Sequence, residues 1–147
     1  MKTSTNGINL IKHFEGCRLT SYKCPAGVWT IGTGHTGGIK QGQTITQTQA
    51  DELLANDLKV FENAVNSLVK VPINQAQFDS LVSFTFNCGP DALKGSTLLK
   101  LLNAKNYIEA GQEFKKWNKA GKTELLGLTK RRKAEEVLFL TGKLSLI

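Results

Sequence analysis

Apolar residues recur at helical spacing in several blocks along the chain, and one glycine-rich stretch interrupts the pattern. Ile8, Leu10, Ile11 and Phe14 fall at near-helical intervals and Gly16 supplies a stop, so the first element reads as a short helix from about Ser4 to Glu15. From Cys17 to Gly38 the texture changes to Thr, Tyr, Trp, Val and Ile punctuated by "PAG", "GTG" and "TGG". That texture predicts a small antiparallel hairpin or three-stranded sheet, with "QTIT" (Gln43 to Thr46) as a possible third strand.

Helical periodicity then takes over. Leu54, Leu58, Phe61, Val65 and Leu68 step by four and three and form one apolar stripe. The helix that carries them is expected to start at a Thr48 cap, with Asp51 completing a shortened capping box, and to end near Val69, before Pro72. Asn74 caps the next helix, which Gly89 and Pro90 close; its Phe78, Leu81, Val82, Phe84 and Phe86 cover more than one face, which places it near the centre of the core. Ser96 caps "TLLKLLNAKN", a further helix covers "YIEAGQEFKKW", and "AGKTELLG" reads as an exposed connection. The last helix runs from Lys130 to about Thr141 and ends at Gly142. The fold class is α+β, one domain over residues 1–147: a β lobe at about 16–46, and a helical lobe at about 48–147 that also takes in helix 4–15. A cleft where the two lobes meet is the natural place for a site.

Composition narrows the function classes. At 147 residues and 40% hydrophobic content the chain can bury a core without disulfides, which excludes a disordered chain. Three cysteines without CxxC spacing fit neither a disulfide framework nor a structural zinc site, and two histidines give no metal-ligand set, so neither metal nor cofactor is expected. With no signal-like or membrane-spanning apolar run, synthesis in the cytoplasm is the expectation. The net charge of +7 favours a polyanionic partner. Nucleic acid is not expected, because the basic run "KRRK" lacks interleaved stacking aromatics or a helix-turn-helix context. "GTG" has no Walker lysine after it and is not read as a phosphate loop.

A glutamate at the end of a helix, facing a hairpin, is well placed to protonate a glycosidic oxygen; spacing alone favours reading Glu15 as a solvated helix-end residue. The surrounding stretch, "HFEGCRLTSYKCPAGVWTIGTGHT", resembles the active-site segment of the phage-type lysozymes (endolysins) of glycoside hydrolase family 24, in which Glu, Asp and Thr stand at E-x8-D-x5-T spacing. Here Glu15, Cys24 and Thr30 occupy those positions. "VPINQAQFDSLVSFTFNCG", "GSTLLKLLN" and "RRKAEEVLFLTG" resemble the family's central, following and C-terminal helices, so the likeness covers most of the chain.

The resemblance implies a lysozyme-like fold and hydrolysis of the β-1,4 bond between N-acetylmuramic acid and N-acetylglucosamine in bacterial peptidoglycan. Glu15 would be the general acid, and Thr30 would position a water or the sugar. Cys24 stands where the family usually has its aspartate. A neutral thiol is a poor base, whereas a thiolate favoured by a nearby cation such as Lys23 or Arg18 could act as base or nucleophile. Cys24 is thus a working substitute, a tolerated spectator, or a lesion that leaves a binding protein.

The likeness also assigns Arg131 to hold Glu15. The other three residues of Lys130–Lys133 would face anionic wall or outer-membrane polymers, at some cost against the helix dipole in a first turn. His35 would fix the hairpin, Trp29 would floor a sugar subsite or pack in the core, and Asn87 and Thr97 would line the cleft or cap helices. The implied setting is a monomer made in the host cytoplasm that reaches the periplasmic wall after a holin permeabilises the membrane. Two other readings compete: a lytic transglycosylase that uses Glu15 alone, and a non-catalytic peptidoglycan- or lipopolysaccharide-binding protein.

Overall fold

The computed structural model describes residues 1–146 of the chain. Helix α1 (Thr5–Glu15) leads into strands β1 (Arg18–Lys23) and β2 (Trp29–Gly32); α2 (Gln47–Leu68) and α3 (Gln75–Cys88) follow. The short helices α4 (Pro90–Lys94), α5 (Thr97–Asn103) and α6 (Tyr107–Glu113) come next, with a 3-10 turn at Phe114–Lys116. A two-residue ladder, β3 (Lys119–Ala120) with β4 (Thr123–Glu124), precedes the final helix α7 (Leu126–Thr141). Mixed helices and small antiparallel strand pairs make this an α+β fold, as the hydrophobic pattern predicts.

β1 and β2 pair antiparallel, with Tyr22 opposite Thr30 and Lys23 opposite Trp29, and the register shifts between Arg18 and Tyr22. The third strand expected at "QTIT" is reduced to a single bridge, Thr20 to Thr44, flanked by amide bonds from Ser21 to Gln43 and from Ile45 to Leu19 at 2.9 Å each.

α2 starts two residues earlier than the pattern suggests. Thr46, not Thr48, is the cap: its hydroxyl takes the Gln49 amide while the Gln49 side chain takes the Thr46 amide, a full capping box that Asp51 cannot make. Asn74 and Gln77 build the same device at the start of α3. α3 is the centre of the molecule, as expected, with every residue from Phe78 to Thr85 buried. α7 begins at Leu126 rather than Lys130, so "KRRK" lies in its second turn and the dipole cost assigned to a first-turn basic run does not arise. The segment read as an exposed connection supplies β3 and β4.

The far end of α1 is tied to α3 by one buried carboxylate. Asp79 accepts the Ser4 amide at 3.0 Å and the Ser4 hydroxyl, so the α1 cap comes from another helix instead of from Ser4 itself. Gly7 permits this approach, since a Cβ there would sit 2.9 Å from the Asp79 carboxyl carbon. At its other end α1 stops at Gly16 (φ +76°), a conformation glycine adopts freely, which leaves Glu15 as the last helical residue.

Candidate active site

A groove of about 540 Å³ opens beside Glu15, lined among others by Gly34, His35, Asp57, Phe86 and Asn87. A second one, about 330 Å³, shares Glu15 and Asn87 with it and is walled by Phe14, Leu125, Leu128 and Arg131. Glu15 therefore lines both depressions. It is a quarter exposed, and its carboxylate is ion-paired with the Nη1 of Arg131, which is itself 3% exposed.

Arg131 is held from behind. Its Nη2 donates to the carbonyl (3.2 Å) and hydroxyl (3.3 Å) of Ser83 on α3, and its Nε donates to Glu135 at 3.4 Å. Neighbouring Arg132 donates to Asn87 and to the Cys88 sulfur at 2.8 Å each. Arg132 is fully buried, which corrects its assignment to a polymer-facing surface; only Lys130 and Lys133 of that run are exposed. The Glu135 carboxyl is pushed up by burial, with Arg132, then Arg131, then the Ser83 hydroxyl pulling it back.

The hairpin carries the other residues. Cys24 follows β1 and opens a tight turn, closed by Gly27 N–H to Cys24 carbonyl at 2.8 Å and by Cys24 N–H to Val28 carbonyl at 3.0 Å. Its thiol is lowered from the ordinary value, chiefly by the Val28 amide, against slight desolvation and with help from the Ala26 amide, the Thr30 hydroxyl and the Gly27 amide. The cations expected to favour a thiolate are engaged elsewhere: Lys23 lies over the Trp29 ring at 5.5 Å and Arg18 over Tyr22 at 4.5 Å. Thr30 is buried and donates its one hydroxyl proton to the Val28 carbonyl at 3.0 Å.

Among the residues singled out in the sequence, Glu15, His35 and Asn87 line the larger groove, and Arg131 lines the smaller. Cys24, Thr30 and Trp29 stay together on the hairpin and line neither. Thr97 stands exposed in the first turn of α5, which Ser96 caps through the Leu99 amide at 3.0 Å, and it also lines neither groove. His35 ties hairpin to helix, its Nδ1 2.7 Å from the Asp57 carboxylate on α2. Sequence reading passed over Asp57, Ser83 and Glu135. The signal for Glu135 was present, four residues after Arg131 on one helix face; nothing marked Asp57 or Ser83.

No group of three or more metal-ligating side chains occurs among the described residues, and no helix among them is long and apolar enough to cross a membrane.

Comparison with known proteins agrees with this architecture. The chain is 49% identical over 146 residues to the endolysin of Bacillus phage B103, covering 97% of this chain and 56% of that one, so it spans little more than half of that relative's length. Against the endolysin of Salmonella phage P22 it is 47% identical over 146 residues, covering 96% of this chain and 99% of the other. The crystal structure of a P22 lysozyme point mutant superposes with a TM-score of 0.91 at 46% identity, covering 96% of this chain and 99% of that one. Residues 12–135 match the phage lysozyme family, and the chain belongs to it.

Proposed function

We propose that the protein is an endolysin that hydrolyses the β-1,4 bond between N-acetylmuramic acid and N-acetylglucosamine in bacterial peptidoglycan. The observation that carries this reading is a carboxyl at the end of α1, lining two grooves and gripped by a buried guanidinium. Glycan strands are long and need an open trough on both sides of the scissile bond, which the pair of grooves would supply. Glu15 delivers a proton to the bridging oxygen, and Arg131 fixes the direction from which it comes.

Cys24 supplies the second function as a thiolate. The Val28 amide, and after it the Ala26 and Gly27 amides of its own turn, lower the thiol and so favour its anion. Thr30, within reach of the same sulfur, orients the water that this anion activates. The wall is reached through a separate membrane pore, a holin, and the protein works as a monomer.

Muropeptide mass spectrometry tests the reaction. Wild-type protein should release fragments with a free reducing N-acetylmuramic acid end, and Glu15→Gln should release almost none. Full activity in Glu15→Gln would end the glycosidase reading. One observation favours a second reading, a lytic transglycosylase: Cys24 lines neither groove, and a single carboxyl suffices when the sugar's own hydroxyl closes on the anomeric carbon. Its products would carry 1,6-anhydro ends, lighter by one water.

A further inference from the structure

Behind Glu15 lies a cluster of three buried charges whose cost stability alone does not explain. Arg131, Arg132 and Glu135 are all buried, and replacing buried ion pairs with apolar side chains is often neutral or stabilising. The cluster is also imperfect. Arg132 Nε and Glu135 Oε1 are ion-paired at 2.8 Å but meet off the hydrogen-bonding axis, which leaves both atoms buried without a hydrogen-bond partner.

What the cluster does have is direction. Glu135 Oε2 takes the Ser83 hydroxyl at 2.5 Å and reaches Arg131 Nε and Arg132 Nη2 at 3.4 Å each. Arg131 meets Glu15 through its Nη1, across the guanidinium from Glu135, and Arg132 meets Asn87 through the same Nη2 that reaches Glu135; Glu15 and Asn87 are the two residues shared by both grooves. One buried carboxylate thus stands behind both.

We propose that Glu135 is a positioning residue, orienting Glu15 and Asn87 through Arg131 and Arg132 and acting as the counter-charge that keeps Arg131 from binding Glu15 only as a carboxylate. This rests on the reading that Glu15 delivers the proton. A general acid must hold that proton at the working pH, and a lone buried guanidinium in contact would oppose it. The charged and titratable groups concerned are Arg131 and Arg132 on the same helix as Glu135, Cys88 at the end of α3, and Glu15 at the end of α1. Ionised, the two carboxylates balance the two guanidiniums. Removing either member behind Glu15 tips that balance in a known direction.

The test is the pH dependence of kcat on soluble peptidoglycan fragments for wild type, Glu135→Gln and Arg132→Gln, with Glu15→Gln as the reference for the reaction itself. Glu135→Gln keeps an acceptor for Ser83 but leaves two positive charges facing one carboxylate. The alkaline limb of its profile should move to lower pH by about two units, the scale of two charges a guanidinium's width apart at an effective dielectric near 20.

Arg132→Gln should move the same limb to higher pH, because Glu135 then serves Arg131 alone. Loss of packing cannot move the limb in opposite directions in the two variants. If Glu135→Gln does not fold, the shift in Arg132→Gln decides alone. Limbs that stay in place while Glu15→Gln is inactive overturn this inference only, whereas an active Glu15→Gln overturns the proposed function beneath it.

Discussion

Glu15 and Cys24 are close in sequence yet fixed by different physics. Glu15 ends a helix and is held through buried ions on another helix, with Arg131 and Glu135 behind it almost wholly out of water. Cys24 follows a strand and is held by the backbone of its own turn, half-buried, with amides rather than cations about its sulfur. The helical half couples site geometry to global stability, because each buried charge needs its partner. The hairpin half separates them, because a turn keeps its backbone bonds whichever small side chain projects from it.

That contrast breaks most visibly at Arg131. Arg131→Met leaves Glu135 and Arg132 buried with one partner fewer and takes the anchor from Glu15, so unfolding free energy should fall by about 3–5 kcal/mol. Urea denaturation with circular dichroism measures it. A loss within experimental error would mean that water enters and solvates the cluster, and that the helical half is no more tightly coupled than the hairpin.

Cys24 should give the opposite signature. Cys24→Ala should lower kcat by about 100-fold, the scale of a lost base, while Tm moves little. Cys24→Asp should restore activity and shift the acidic limb of the profile to lower pH. The active form is the anion in both; a carboxylate ionises below even a lowered thiol, so activity persists to a more acid pH before protonation removes it. Wild-type activity in the alanine variant would make Cys24 a spectator and shift weight to chemistry that uses Glu15 alone.

The same contrast governs what could be read in the sequence. The stripe from Leu54 to Leu68, the Asn74 and Ser96 caps and the central helix were legible because periodicity and capping are local properties. The start of α7 was not, because "LGLT" carries no cap and reads as connection; what marks that first turn is the Thr129 amide on the Leu125 carbonyl at 2.9 Å and the Asn118 side chain on the Thr129 hydroxyl at 3.1 Å. The motif pointed to Glu15 and Arg131 together, but not to what fixes Arg131. Ser83 and Glu135 lie 52 positions apart and meet only once α3 and α7 pack. The amides around Cys24 were missed for another reason: they belong to the backbone, and residue letters do not show them.

A smaller effect is expected at the distal end of α1. Asp79 takes three hydrogen bonds there, from the Ser4 amide and hydroxyl and from Gln75 at 2.8 Å. Asp79→Ala should cost about 1–2 kcal/mol in denaturant, the scale for losing part-buried hydrogen bonds to a charged acceptor, without changing the pH profile of activity, because it lies at the opposite end of the helix from Glu15. A shifted profile would show that α1 transmits strain along its length and that the two ends are not independent.

The smallest effect belongs to the exposed pair between α1 and α2, Lys12 with Asp51, whose side chains are 27% and 48% exposed. Water and salt screen such a pair, so Asp51→Asn should leave Tm within error of wild type at neutral pH and moderate salt. Its mark should appear only at low salt, as a dependence on pH. The Lys12 ammonium, then the Gln47 amide, hold the Asp51 carboxyl below its usual value in the folded chain. A depressed carboxylate contributes its stability above the unfolded-state value and loses it as pH falls through the folded one. Wild type and Asp51→Asn should therefore converge in Tm as the pH drops through that window, and any gap between them should be widest above it. A gap that widened in acid would reverse the sign and show that Lys12 does not stabilise the ionised carboxylate.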